Sequence, residues 1–411
     1  MKKHKRGLKV CLTIATIVVL FLVFMTVLNK TFHTSYDQMD KTDQAFFKQL
    51  NSLYSKTKNK PLWQGYNLAE NPVLFVRKGN QLNFSEETVN LIRGNVYAVG
   101  VKGLEGKWYA KKIKLPDSYK MPDVYRLAIT TPGILETWSP LGNFSSITID
   151  EKTGKTKQTN MQVGGSSHVY NFKYGKSNME KPLNPSQSAI PFYTHEAFHY
   201  FAQKDWQGSD GDIELESKKT EWYSLLGLQY KVLDTIMEEV QQKDIEGVSA
   251  ALSDYRAVSD ARRKLDSKDY QDEKSHETIE GTATYVGIKS SVLTGGKPIK
   301  LQLLSAAKDD AHRKFFTLFE SIAYSPSYVS EFKWNRYDSG ALLSAALDEV
   351  DSNNWQSIFN QKASNEAYTL DDRIHELKYS GKVNNLNAIK QKYDFQNIEK
   401  LSGKLVSGLN K

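Results

Sequence analysis

Apolar residues along the chain fall into three regimes. From Val10 to Leu28 they form an unbroken run, VCLTIATIVVLFLVFMTVL. At 1.5 Å rise per residue this approaches the roughly 30 Å of a hydrocarbon core, so it predicts a transmembrane signal anchor. A helix over 43–54 is predicted next, with Phe46, Phe47, Leu50 and Leu53 at helical spacing. Between residues 61 and 176 short apolar runs alternate with turn residues. They predict strands over 73–77, 96–101, 108–115, 124–129, 146–150 and 168–174. Trp108 to Leu115 alternates apolar and polar positions, as an antiparallel sheet with one wet face would. From residue 177 onwards the spacing is helical. Helices are predicted near Pro191 and over 215–242, 248–265, 275–293, 306–323, 340–350 and 386–394.

Strands first and helices second predict an α+β fold, with an antiparallel β-rich N-terminal part before a mostly helical part. The expected organisation is a basic tail (1–9), a single transmembrane helix (10–28), a stalk or N-terminal helix (29–60), a β-rich region (61–176) and a helical region (177–411). Lys2, Lys3, Lys5, Arg6 and Lys9 precede the apolar run. That asymmetry predicts a single-pass protein of the cell membrane, with the N-terminus cytoplasmic and the body extracytoplasmic.

Composition narrows the classes. Hydrophobic residues are 39% and charged residues 25%, enough to bury a core. The net charge of +8 comes with no Arg-rich block interleaved with aromatics, so no nucleic-acid partner is expected. Cys11 is the single cysteine, which excludes an intrachain disulfide and a multi-cysteine metal site. Asp210, Asp212, Glu214 and Glu216 alternate as calcium ligands sometimes do, but they lack the spaced bidentate glutamate of an EF-hand.

The candidate chemistry centres on His195-Glu196-Ala197-Phe198-His199. On a helix, histidines four apart share one face, and two neutral imidazoles can then hold one Zn²⁺. Glu196 falls beside the metal position rather than on it. There it can take a proton from the activated water and pass it to a leaving amine. The two histidines are expected metal ligands and Glu196 the expected catalytic base. A catalytic zinc needs a third protein ligand and an open position. The residues after His199 supply neither the glycine nor the histidine of the extended HExxHxxGxxH form.

A second segment, Glu280-Gly281-Thr282-Ala283-Thr284-Tyr285, resembles the E-G-x-A-x-Y segment of gluzincin (thermolysin-like) metallopeptidases. The resemblance covers two short segments, and it implies a zinc peptidase fold with Glu280 as the third ligand. Glu277 and His276 remain alternatives from the residues themselves. Gly281 and Ala283 would let this helix approach the motif helix closely. The stretch from Tyr337 to Gly340 resembles the tyrosine-then-glycine helix start of related families, and Tyr337 is a candidate donor to the oxyanion, with Tyr285 as a second. An edge strand within 161–172 would pair with a peptide substrate.

The sequence thus leads to the expectation of a membrane-anchored zinc metallopeptidase acting on peptides or proteins. The alternative is a non-catalytic surface or envelope module (adhesin, receptor-like or scaffold) on a peptidase-like fold.

Overall fold

A computed structural model describes residues 2–31, 33–78, 94–137, 147–149, 156–158, 160–180, 188–208, 213–294, 314–351, 354–378 and 384–411. Of the described residues 64% are helical, and they include a small five-stranded mixed sheet. It divides into two compact units. One comprises residues 1–61, 67–147 and 158–182; the other comprises 62–66, 148–157 and 183–411.

The first unit carries β1 (Val73–Arg77), β2 (Val96–Val99), β3 (Ala110–Lys112), β4 (Val124–Leu127) and β7 (Tyr170–Tyr174), in the order β3-β4-β2-β1-β7. Two further short strands, β5 (Ile147–Ile149) and β6 (Thr156–Gln158), pair with each other. The expected antiparallel, β-rich architecture is corrected here. β1 runs parallel to β7, with Val73 opposite Tyr170. The partners lie far apart in sequence, so no hairpin signal marks the pairing. Nor is the sheet wet on one face. β1, β2 and β7 are buried along nearly their whole length, and β3, on the sheet's end, grades from buried Ala110 to exposed Lys112 rather than alternating.

One face is covered by the helix Lys41–Thr57, which Asp40 caps by accepting from the Thr42 amide. Phe46 stacks on Tyr174 at 4.0 Å between ring centroids and meets Phe75 edge-on at 5.0 Å. Phe47 meets Tyr97 edge-on. Leu74, Val76, Val96 and Ala98 point to the opposite face, into a core with Leu127, Met161 and Val169. Each fully buried leucine or valine among them contributes roughly 1.5–3 kcal/mol.

The helix Lys2–Thr31 forms over the segment expected to be an anchor, and Val10 to Phe24 are exposed along it. Among the described residues, however, no helix is long and apolar enough to cross a membrane. A span needs one helix of about 20 predominantly apolar residues, and none of the described helices meets that requirement. The expected transmembrane helix, and the single-pass location that rests on it, are therefore not supported.

The second unit is helical. The motif helix, Ala189–Phe201, packs on the long helix Ser267–Leu293, which packs in turn on Glu331–Val350. Ser267–Leu293 starts where Asp266 ends the preceding helix, Ile245–Leu265, and caps the new one by accepting from the Asp269 amide. Trp63 anchors the packing, with its ring against Phe198, Trp206 and Trp355 and its indole N–H donating to Asn360.

The expected close approach of Gly281 exists, but with a different partner. A Cβ at Gly281 would lie 2.3 Å from Gly340 Cα, on the Glu331–Val350 helix. The motif helix is met instead at Gly287, where a Cβ would lie 3.0 Å from the Pro191 carbonyl oxygen.

Candidate metal centre

The motif helix buries Ile190, Tyr193, Ala197, Phe198 and Tyr200. That face is apolar, so the four-residue spacing turns His195 and His199 the other way, towards the Ser267–Leu293 helix. Pro191 occupies the first turn, where its missing N–H costs little. Glu280, partway along the neighbouring helix, completes the group.

Three distances define the site. His195 Nε2 and His199 Nε2 are 3.1 Å apart. Glu280 Oε2 lies 3.3 Å from the former and 3.4 Å from the latter. Tetrahedral ligands at about 2.0–2.1 Å from a shared ion stand about 3.3 Å from one another. Donor identity and spacing both fit a divalent cation, and Zn²⁺ shares this preference with other first-row ions. Among the described residues these are the three side chains that converge in this way.

The local electrostatics suit a cation. Burial alone would lower the His199 imidazole, but the Glu280 carboxylate beside it lifts it to about 9. Burial raises Glu280, yet His199 and His195 outweigh it and hold the carboxyl well below its usual range. Glu196 lies outside the ligand group. Burial pushes its carboxyl up, against the pull of both histidines, and Glu280 adds to the rise.

The ring of Tyr337 stacks on that of His195, with centroids 6.1 Å apart and planes at 9°. The sequence-predicted oxyanion donor is thus brought to the site. Tyr285 is not, because its hydroxyl donates to Asp348.

Glu277, the rival third ligand, is committed elsewhere. Its carboxylate accepts from Lys274 at 2.8 Å and from the Ser339 hydroxyl. It belongs to a buried charge network in which Arg262 donates to both oxygens of Glu273, at 2.7 and 2.8 Å. Burial raises Glu273, but Arg262 and Lys274 overcome that and hold it far below its usual range. His276 also stays out of the ligand group; its ring meets Tyr337 edge-on. The Asp210 and Asp212 calcium candidates lie outside the described residues.

Two residues that the sequence did not single out touch the ligands. Gln203 Oε1 is 2.5 Å from His199 Nδ1, and Thr284 Oγ1 is 3.4 Å from His195 Nδ1. Gln203 follows His199 by four residues but lies just past the motif helix, which ends at Phe201, so helical periodicity does not mark it. Thr284 follows Glu280 by the same interval.

The chain matches no family model, no curated protein and no solved structure.

Proposed function

We propose that this protein is a zinc metallohydrolase, and specifically a peptidase. The observation that carries the reading is the convergence of His195, His199 and Glu280 at the mutual spacing of tetrahedral ligands. The glutamate between the histidines supports catalysis over a structural metal, because a structural site has no use for it. Three protein donors among the described residues also leave a fourth position open, as catalytic zinc sites do. The resemblance of the two segments to gluzincin peptidases points the same way.

Zinc held by this set supplies Lewis-acid chemistry, lowering the pKa of water towards neutrality and polarising a carbonyl. The chain's own groups do the rest. Glu196, half-buried beside the ligands, takes the proton of the attacking water and returns it to the departing amine. Tyr337, stacked on His195, donates its hydroxyl to the oxyanion of the tetrahedral adduct. His195, His199 and Glu280 stay fixed as ligands throughout.

The test is hydrolysis of an internally quenched peptide library by the full chain loaded with zinc, beside Glu196→Gln. Removal of a general base costs roughly 10²–10⁴-fold. Cleavage by the parent and loss on that scale in the variant is expected. A zinc-loaded parent that cleaves no peptide would overturn the peptidase reading.

A further inference from the structure

We infer that Gln203 is the positioning residue of this centre, fixing the tautomer of His199 so that Nε2 is the atom offered to a metal. The inference rests on the metal-site reading above and goes beyond it.

The orientation of the Gln203 amide is decided by its surroundings. Nε2 donates to the Ile279 carbonyl oxygen at 3.0 Å and to Thr282 Oγ1 at 2.7 Å. The Thr282 hydroxyl has already spent its own proton on the Thr278 carbonyl, at 2.8 Å, so towards Gln203 it can only accept. Both amide hydrogens are therefore used. A flipped amide would set oxygen against the Ile279 carbonyl oxygen and lose both bonds.

The oxygen of Gln203 consequently faces His199 Nδ1, at 2.5 Å. An amide oxygen only accepts, so Nδ1 must carry a hydrogen. In neutral imidazole the lone pair then sits on Nε2. That is the atom 3.1 Å from His195 Nε2 and 3.4 Å from Glu280 Oε2.

Gln203 is 2% exposed, so water does not compete for these bonds. Its two anchors, Ile279 and Thr282, flank Glu280 on the same helix. One side chain thus ties the orientation of one ligand to the position of another. Among the described residues His195 has no comparable tether: its Nδ1 has Thr284 Oγ1 at a distant 3.4 Å. The centre is asymmetric, with His199 locked and His195 held more loosely. Partners of this kind typically contribute 10–100-fold to metal affinity.

The experiment loads the ¹⁵N-histidine-labelled full chain with ¹¹³Cd²⁺ and reads the metal–nitrogen coupling. It then measures Cd²⁺ and Zn²⁺ affinity by competition with a chromogenic chelator for the parent, Gln203→Leu, Gln203→Glu and Thr284→Ala. For His199 the coupling is expected at Nε2. Gln203→Leu is expected to bind 10–100-fold more weakly. Gln203→Glu, which keeps an acceptor for Nδ1–H but sets its second oxygen against the Ile279 carbonyl oxygen, is expected to bind more tightly than Gln203→Leu and less tightly than the parent, and Thr284→Ala changes affinity less than Gln203→Leu does. Should Gln203→Leu fail to fold, the coupling in the parent and the affinity of Gln203→Glu still decide. Coupling through His199 Nδ1, or equal affinity in folded Gln203→Leu, overturns the inference alone. A parent that takes up neither ion overturns the metal-site reading and this inference with it.

Discussion

Gly281 and Gly340 meet at the crossing of the Glu280 helix and the Tyr337 helix, so closely that neither has room for a side chain. A Cβ on Gly340 would lie 2.1 Å from the Glu277 carbonyl oxygen and 2.8 Å from Gly281 Cα. The obstacle is backbone in both directions, so no rotamer change relieves it. This contact places Glu280 and Tyr337, one residue before and three residues before the respective glycines, on helices that cannot move apart without losing the crossing.

Gly281→Ala is therefore expected to destabilise the chain by about 1–3 kcal/mol, the usual cost of overpacking a well-filled contact. Zinc affinity should fall with it, because Glu280 adjoins the displaced backbone. Urea denaturation of the metal-free chain and chelator competition of the loaded chain measure the two effects. A variant as stable as the parent would show that the helices separate freely.

Glu277 and Glu280 should separate cleanly by phenotype. Glu277→Ala leaves Lys274, 2% exposed, without its 2.8 Å partner. Breaking a buried pair from one side costs about 3–5 kcal/mol. Loss of thermal stability with retained zinc is expected, read by calorimetry and elemental analysis on the same sample. Zinc loss in Glu277→Ala with unchanged stability would reverse the two roles.

Asp234 gives the second unit a pH dependence. Burial raises its carboxyl from 3.8 to about 7, although the Phe316 and Phe315 amides and Lys314 pull it down. Between those values the folded chain holds a proton that the unfolded chain has lost. Stability should therefore fall as pH rises through this window, by at most about 1.4 kcal/mol per pH unit, and this contribution should be flat below and above it. Asp234→Asn removes the titration, so the stability difference from the parent should change between roughly pH 4 and 7. A difference that is constant with pH would contradict the shift.

In the first unit, Asp43 is fully buried and accepts from the hydroxyls of Tyr97 and Tyr174, each at 2.7 Å, with Arg77 3.4 Å away. Hydrogen bonds to a charged group contribute about 1.5–3 kcal/mol. Tyr174→Phe is expected to cost about that much, and Asp43→Ala more, since it removes the acceptor of both phenols and, among the described residues, leaves only Tyr97 a further partner, His33 Nε2 at 3.0 Å. Chemical denaturation of the two variants checks the order. Equal stabilities would mean that the tyrosines bond elsewhere.

The parts legible in the sequence were the local ones. His195 and His199 share a helix face because four residues span about one turn, and that arithmetic needs no tertiary information. The strand at 73–77 was readable because its apolar run is bounded by turn residues. What the sequence did not give was partnership. The parallel β1–β7 pairing brings together residues nearly a hundred positions apart. Gly281 marks a close approach in the sequence, but the helix it meets is that of Gly340 rather than the motif helix. Glu280 and Glu277 sit almost on one helix face, and what separates them is the placement of Lys274 and Ser339, which packing alone decides. The apolar run at 10–28 illustrates the opposite error. A composition that looks sufficient for a span gave a helix, but no described helix is long and apolar enough to cross a membrane.

Calorimetric titration of Zn²⁺ into the metal-free full chain, beside Glu280→Ala, tests the central claim most directly. One zinc per chain in the parent, with affinity lost in the folded variant, is the expected result. A parent that binds no zinc at neutral pH, or a Glu280→Ala chain that binds it as tightly, would contradict the metal centre and the peptidase built on it.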